Sequence, residues 1–449
     1  MPHHDHDDDR RPLTGPIPTL NSSVPVLEDA ADRDIACRAD DHDRARTRHR
    51  VTGMVIAVLT TLSAIGPFAT DMYIPAFPRV TSDLGTSAAN VQLTLTAFFL
   101  GAAMGQIVAG PLSDRLGRRI PLLVGIVLCM AGSIGCALAG NIDMLLITRL
   151  IQGIGGGFGM VLGRAVLIDL TDGPEMVRLM NILQGIGGIA PIIAPLIGGM
   201  ILLVGQWREI FIVIAGMSVL SLIGTLLLIP ESLPREHRHP GGLRTFAKNC
   251  LTLCRRRRFI GYLLVNASSG MTLMAYVSAS SYVVQEILGF RSEQYSVVFA
   301  INAFGMMTMA FMSARLTRRY AARSLIRVGQ SVSAVGAVAL LVGALWLGTP
   351  VWIVLPGFFV VVLAQGFIFG NGAALASAEA REFAGTASAM LGLGFSCAAS
   401  AAAPLVGLAG TSSAVPMAIV MVGGALMSMV CLYVIARPAP SENSAASAV

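Results

Sequence analysis

The sequence predicts an all-α polytopic membrane protein, and three observations carry that prediction. The composition is 54% hydrophobic and 13% charged, with mean hydropathy +0.69, well outside the balance of a soluble chain. Apolar runs near the ~20 residues that cross a bilayer recur along the chain. Arginines collect in the polar stretches between those runs, and mostly in alternate ones.

Residues 1–50 are polar, open on HHDHDDD and end in four arginines between Arg44 and Arg50. They contain no short apolar core with a cleavage site, so no secretory signal peptide is expected in them. Low hydrophobicity predicts a disordered cytoplasmic tail with a solvated His/Asp cluster. Apolar runs follow at 51–77, 88–112, 119–139, 143–165, 180–204 and 208–229. After a charged stretch come 259–286, 293–314, 323–347, 351–376, 384–408 and 414–436. This divides the chain into an N-terminal six-helix bundle (51–230), a cytoplasmic linker loop (231–258), a C-terminal six-helix bundle (259–437) and a second disordered tail (438–449).

The basic residues orient the chain. Arg44 to Arg50, Arg115/Arg118/Arg119, the arginines from Arg235 to Arg258, and Arg315/Arg318/Arg319/Arg323 share one side, while the other has little beyond Arg79, Arg208 and Arg291. The positive-inside bias places both termini and the linker in the cytoplasm of a multi-pass cytoplasmic (inner) membrane protein. The net charge of +6 thus reports topology and not nucleic-acid binding. The seven cysteines are scattered, with no CxxC pair and no metal spacing. HExxH, GxSxG and GxxxxGK[ST] are all missing, which argues against a membrane-embedded enzyme and against direct use of ATP. No cofactor is expected.

The halves repeat each other. SDRLGRRIPLLVG (113–125) aligns with TRRYAARSLIRVG (317–329), LIQGIGGGFG (150–159) with LAQGFIFGNG (363–372), and APLIG (194–198) with APLVG (403–407). A same-sense repeat of six helices implies two bundles related by an axis along the membrane normal, with a path between them. Gln152/Gln365 and Gly153/Gly366 match, as shared packing requires. Arg149 faces Val362 in the alignment, and Asp114 faces Arg318. Charges confined to one half are better candidates for mechanism than for architecture.

Four groups of residues carry chemistry. Arg149 lies inside the fourth span, in LxxxRxxQGxG with Gln152 and Gly153. A guanidinium keeps its proton, and burying one in hydrocarbon costs at least ~2.5–3.5 kcal/mol. It lies six residues past Asp143, about 9 Å deeper at ~1.5 Å per residue. Asp71, in TDMYIPAFP, is the one carboxylate of the first span and follows Gly66-Pro67. Its depth approaches that of Arg149. Burial favours a neutral carboxyl and a nearby cation a charged one, so Asp71 set against Arg149 suits proton uptake and release. The stretch Gly110-x-x-x-Asp114-Arg115-x-Gly117-Arg118-Arg119 turns the second span into the third, with Gly117 allowing the turn. In the fifth span, Pro191 and Pro195 each remove a backbone donor. Ala194 lies between them, and Gly198 and Gly199 follow.

These groups resemble motifs of the major facilitator superfamily: its G-x-x-x-D-R-x-G-R-R loop, its fourth-helix arginine motif and the fifth-helix motif of its antiporters. In the last, Ala190 and Ala194 stand where glycines are usual. TDMYIPAFPRV, APIIAPLIGG and YVSASSYVVQEILGFRSEQYSVVFAINA resemble the bicyclomycin/chloramphenicol-resistance (Bcr/CflA) branch of twelve-span drug/proton antiporters. The resemblance covers Val51 to about Arg437. Some multidrug relatives hold a second acid in the middle of the first helix, where this chain has Ser63.

The resemblance implies the major facilitator fold with a central cavity, and a monomer in the bilayer that exports small amphipathic drugs in exchange for protons. The alternative within the superfamily is a proton-coupled nutrient importer, against which the double-proline fifth helix argues. Asp114 would face the start of the eleventh helix near Gly385, Arg115 or Arg118 would pair with Asp169, and these contacts would latch the halves. The cavity would be lined by the first, fourth, seventh and tenth helices. Drug contacts would come from Phe68, Tyr73, Gln152, Asn266, Tyr276, Tyr282 and Gln365.

Overall fold

The computed structural model describes residues 53–171, 173–234, 238, 242–407 and 413–437. Both tails lie outside the described residues. Among the described residues, 12 helices are long and apolar enough to cross a membrane. The first six are Gly53–Asp83, Ala88–Leu116, Arg119–Ala137, Ile142–Leu170, Gly187–Val204 and Trp207–Leu228. The second six are Arg257–Ile287, Ser292–Leu316, Ala322–Trp346, Val351–Ala378, Gly385–Gly407 and Val415–Ile435. Large apolar side chains such as Leu220, Phe304 and Trp346 remain exposed around the outside. In a bilayer they face lipid, which is why composition identifies these helices so directly.

Local chemistry sets the helix ends. Ser87 and Asn141 cap the second and fourth spans by accepting from the backbone N–H of Asn90 and Met144. Gly117 ends the second span at φ 92°, and a side chain there would strike Glu231 and Arg238. Two features depart from the sequence expectation. The first span does not stop near residue 77. Its α-helix ends at Asp71, passes a 3₁₀ turn at Ile74–Ala76 that holds Pro75, and resumes over Phe77–Asp83. The linker, read as loop, contains the helix Gly242–Cys254, which touches the second, seventh and eleventh spans.

The two bundles meet along two seams, the second span on the eleventh and the fifth on the eighth. One face of the molecule carries Gly53, the described parts of the connection between the bundles (231–234, 238 and 242–256) and Ala436, and is here called the terminal face. Toward it each bundle has a core of its own, one around Leu59, Ile126 and Phe158, the other around Phe259, Ile326 and Leu432. Toward the opposite face a single core takes in Tyr73, Phe77 and Phe211 from the first half with Tyr276, Tyr282 and Tyr295 from the second. Hydrogen bonds between the halves cluster there. Thr81 bonds Tyr282 at 2.8 Å, Gln285 donates to the Pro75 carbonyl at 3.1 Å, and Gln92 donates to that of Ser278 at 3.1 Å.

The repeat is visible in the packing. Gln152 donates to Ser133 of the third span at 2.8 Å, and Gln365 to Ser333 of the ninth at 3.2 Å. Gly153 seats the fourth span on the Phe98 carbonyl of the second, and Gly366 seats the tenth on the Met306 carbonyl of the eighth. Small residues let helix backbones approach this closely, and interhelical hydrogen bonds within a membrane add about 0.6 kcal/mol each.

Candidate functional site

A cavity of about 300 Å³ lies between the bundles. Its wall is mostly apolar, and its bulkiest groups are aromatic and thioether, among them Phe98, Phe99, Phe299, Phe395, Met160 and Met306. Asp71 is its one charged lining residue, and Thr70, Gln106, Tyr276 and Ser396 are the polar ones. The second, fifth, eighth and eleventh spans contribute alongside the first, fourth, seventh and tenth. The expectation of four lining helices is therefore too narrow, because the seams themselves form two of the walls.

Arg149 lies behind this wall and not in it. It is fully buried. One terminal nitrogen, Nη1, donates to the Ala69 carbonyl of the first span at 2.9 Å and to Gln152 Oε1 at 2.7 Å. Three rings surround the guanidinium, with centroids 4.7 Å (Phe98), 5.0 Å (Tyr73) and 5.7 Å (Phe211) away. Desolvated cation–π contacts are worth about 2 kcal/mol each. They only partly offset the cost of an ion with no counter-charge. Nε and Nη2 have no acceptor.

The expected opposition of Arg149 and Asp71 is corrected. Asp71 accepts from the Thr70 hydroxyl at 3.0 Å and lines the cavity. Its carboxylate forms no ion pair with Arg149, whose hydrogen bonds go to Ala69 and Gln152. The two are at similar depth but on different sides of the first span. Neither faces lipid.

Of the seven proposed drug contacts, Tyr276 alone lines the cavity. It stacks on Phe299 at 5.5 Å and accepts from Asn302 at 3.0 Å. The others are placed elsewhere. Phe68 packs on the shared core. Tyr73 and Gln152 hold Arg149. Asn266 donates to the Tyr262 carbonyl at 3.0 Å and packs on Gly372. Tyr282 bonds Thr81 in the opposite-face seal, and Gln365 is tied to Ser333. Sequence reading missed Phe98, Phe99, Phe395, Met160 and Met306. Their signal was Phe-Phe in the second span and methionines at span midpoints, which lipid-facing positions also carry.

In the turn between the second and third spans, Arg118 is the hub. It donates to Asp169 at 2.9 Å, Asp114 at 2.7 Å and Ser113 at 2.6 Å. Burial works against its charge, but Asp169 and then Asp114 outweigh burial, and its pKa lies above that of a free guanidinium. Arg119 donates to the Leu226 carbonyl at 2.7 Å, and Arg115 sits exposed in the last turn of the second span, five residues past Gly110. All these bonds lie within the first half. Asp114 is held by Arg118 and not by the start of the eleventh span, where Gly385 has no neighbour over its Cβ position.

The fifth-span helix runs unbroken over Gly173–Val204 through both prolines. Pro191 lines the cavity and Ala194 is buried. Four residues past Ala194, next to Pro195-Leu-Ile, Gly198 lies on the Met72 carbonyl of the first span and Gly199 on Ser296 of the eighth. The motif thus packs the fifth span against both halves at once.

The sequence profile of the Major Facilitator Superfamily matches residues 59–404. An uncharacterized MFS-type transporter, YdgK of Bacillus subtilis, is 34% identical over 389 residues, 86% of this chain and 96% of that protein. The bicyclomycin resistance protein homolog of Haemophilus influenzae is 30% identical, covering 77% of this chain and 86% of its own. The multidrug resistance protein MdtL of Vibrio parahaemolyticus is 29% identical, covering 83% and 93%. Among solved structures, the D-xylose-proton symporter superposes with TM-score 0.65 at 17% identity, covering 86% of this chain and 98% of that one. A bacterial homolog of the human lysosomal transporter Spinster gives 0.68 at 15%, covering 87% and 99%. With twelve spans in two bundles around a central cavity, and a profile match across most of its length, this chain is a transporter and belongs to the Major Facilitator Superfamily.

Proposed function

We propose that the chain exports small amphipathic drugs from the cytoplasm in exchange for protons, with both termini on the cytoplasmic side. The observation that carries this reading is the cavity wall, in which one carboxyl group, Asp71, stands among phenylalanine and methionine side chains. Such a wall accepts varied apolar shapes, because methionine adapts and aromatic rings stack. It offers few hydrogen-bonding groups, which suits a lipophilic drug better than a polyhydroxylated nutrient. The resistance proteins among the relatives point the same way.

In this reading drug enters from the terminal face while the seal around Tyr282 and Gln285 keeps the other side shut. The halves then rock about the second–eleventh and fifth–eighth seams. Asp71, now reached by water from outside, takes a proton as drug leaves. The protonated carboxyl returns to the inward state and releases its proton to the cytoplasm. The drug and the proton compete for the same site, so each turnover exchanges one for the other.

The test is proton release from reconstituted vesicles on adding ethidium, tetraphenylphosphonium or chloramphenicol, in the wild type and in Asp71→Asn. Release by the wild type that the variant lacks supports the exporter. Inward co-transport of a metabolite with protons, with no response to any of the three drugs, would replace it with an importer.

A further inference from the structure

Phe98 belongs to two sites at once. Its ring lies 4.7 Å from the Arg149 guanidinium and also forms part of the cavity wall that Asp71 lines. Its backbone is fixed, since the Phe98 carbonyl lies directly under Gly153 of the fourth span. Movement at this point is therefore movement of the ring. On the cavity side Gly156 leaves space, with the Cβ position 3.6 Å from the tip of the ring. Phe98 also meets Phe99 edge-on at 5.7 Å, and Phe99 meets Phe395 of the other half at 6.2 Å.

The repeat supplies a control. Met306 occupies the equivalent place in the second half, because Gly366 lies on its carbonyl as Gly153 lies on that of Phe98. Met306 also lines the cavity, and the residue aligned with Arg149 is Val362. Packing at this position is satisfied by methionine. The aromatic ring occurs in the half where a guanidinium lies behind it.

We infer that Phe98 is the coupling wall of this transporter: a ligand in the cavity and the Arg149 guanidinium bear on the same ring, so binding in the cavity is felt at Arg149 and a change at Arg149 is felt in the cavity. Phe98 is thus a positioning residue for Arg149 as well as a ligand contact. The inference rests on the export reading, because it concerns the same cavity.

The experiment is a double-mutant cycle on equilibrium binding of ethidium, tetraphenylphosphonium and chloramphenicol to protein in lipid nanodiscs. Arg149→Lys, at a residue outside the cavity, should weaken binding about two- to thirtyfold, the range of one cation–π contact. In the Phe98→Met background the same change should matter less than about twofold. Phe98→Trp, which keeps a π face, should preserve the dependence. Equal effects of Arg149→Lys in the Phe98 and Met backgrounds, or no effect in either, would overturn the inference and leave the export reading intact. Failure of the wild type to bind any of the three overturns both. If Arg149→Lys does not fold, proton release per drug decides: Phe98→Met must lower it and Phe98→Trp must not, and wild-type coupling in Phe98→Met overturns the inference.

Discussion

Arg149 and Asp71 meet the first span from different sides. The guanidinium donates to the Ala69 carbonyl at 2.9 Å, and two residues on, Asp71 takes its bond from Thr70 and lines the cavity. Positions two apart on an α-helix differ by about 200° around its axis. On the export reading, an effect of Asp71 protonation on Arg149 would have to travel through the first helix and the Phe98 ring, because no ion pair joins the two.

On the export reading, competition between drug and proton at Asp71 sets a sign for pH dependence. If drug binds the deprotonated site, its affinity falls as pH falls. Asp71→Asn keeps an oxygen to accept from Thr70, so it should fold normally. It should bind drug weakly and equally at every pH. Binding curves at several pH values check this, and a variant that retains the wild-type slope would remove Asp71 from the exchange.

Among the described residues no carboxylate pairs with the buried Arg149, so its removal loses two hydrogen bonds and no ion pair and should not harm the fold. Replacing even a buried ion pair by apolar groups of similar volume is often neutral or stabilising by about 1–4 kcal/mol, and a lone ion has no Coulomb partner to lose. Arg149→Met should melt at or above the wild-type temperature in detergent while losing drug export. A lower melting temperature would make Arg149 a structural residue, with the three rings and Gln152 as its scaffold.

Repeat-related glycines should differ in tolerance. Gly157 lies over the Ala102 carbonyl of the second span, whereas Gly370, its counterpart, has nothing within 4 Å of its Cβ position. Gly157→Ala should destabilise by about 1–3 kcal/mol, the cost of overpacking. Gly370→Ala should be neutral or slightly stabilising, since alanine favours helix. Thermal unfolding of the two variants tests the pair.

How much of this the sequence revealed depends on which coordinate it encodes. Span positions were legible because length and apolarity are properties of the chain alone. The buried glutamines and the close-packed Gly153/Gly366 pair were legible because the repeat exposes them. Depth was legible too, by counting residues from span ends. Azimuth was not. Asp71 and Arg149 were paired because their depths agree, although one faces the cavity and the other the interior of its own bundle. Tyr73, Tyr282, Gln152 and Gln365 were read as drug contacts because polar groups in a span need a reason. The reason proved to be hydrogen bonds between helices. Phe99, Met160 and Phe395 went unnoticed because nothing in their chemistry separates a cavity wall from a lipid-facing side.

The seal on the opposite face gives a last prediction. Tyr282 and Thr81 share one hydrogen bond across the halves at 2.8 Å, and Thr81 also donates to the Phe77 carbonyl at 3.0 Å. Tyr282→Phe therefore strands no buried donor. Its cost should be that of one ordinary bond, about 0.5–1.5 kcal/mol, a two- to tenfold shift toward opening on that face. Ser278→Cys reports the shift. Ser278 is buried beneath the seal, and its backbone carbonyl holds Gln92 whatever its side chain. Labelling of that cysteine by an impermeant maleimide should speed up in Tyr282→Phe. Thr81→Val should give an increase at least as large, since it also leaves the Tyr282 hydroxyl without its partner, and the double variant no more than Thr81→Val alone, because both changes delete the same bond. Additive increases would mean that the seal is held by the surrounding core and not by this contact.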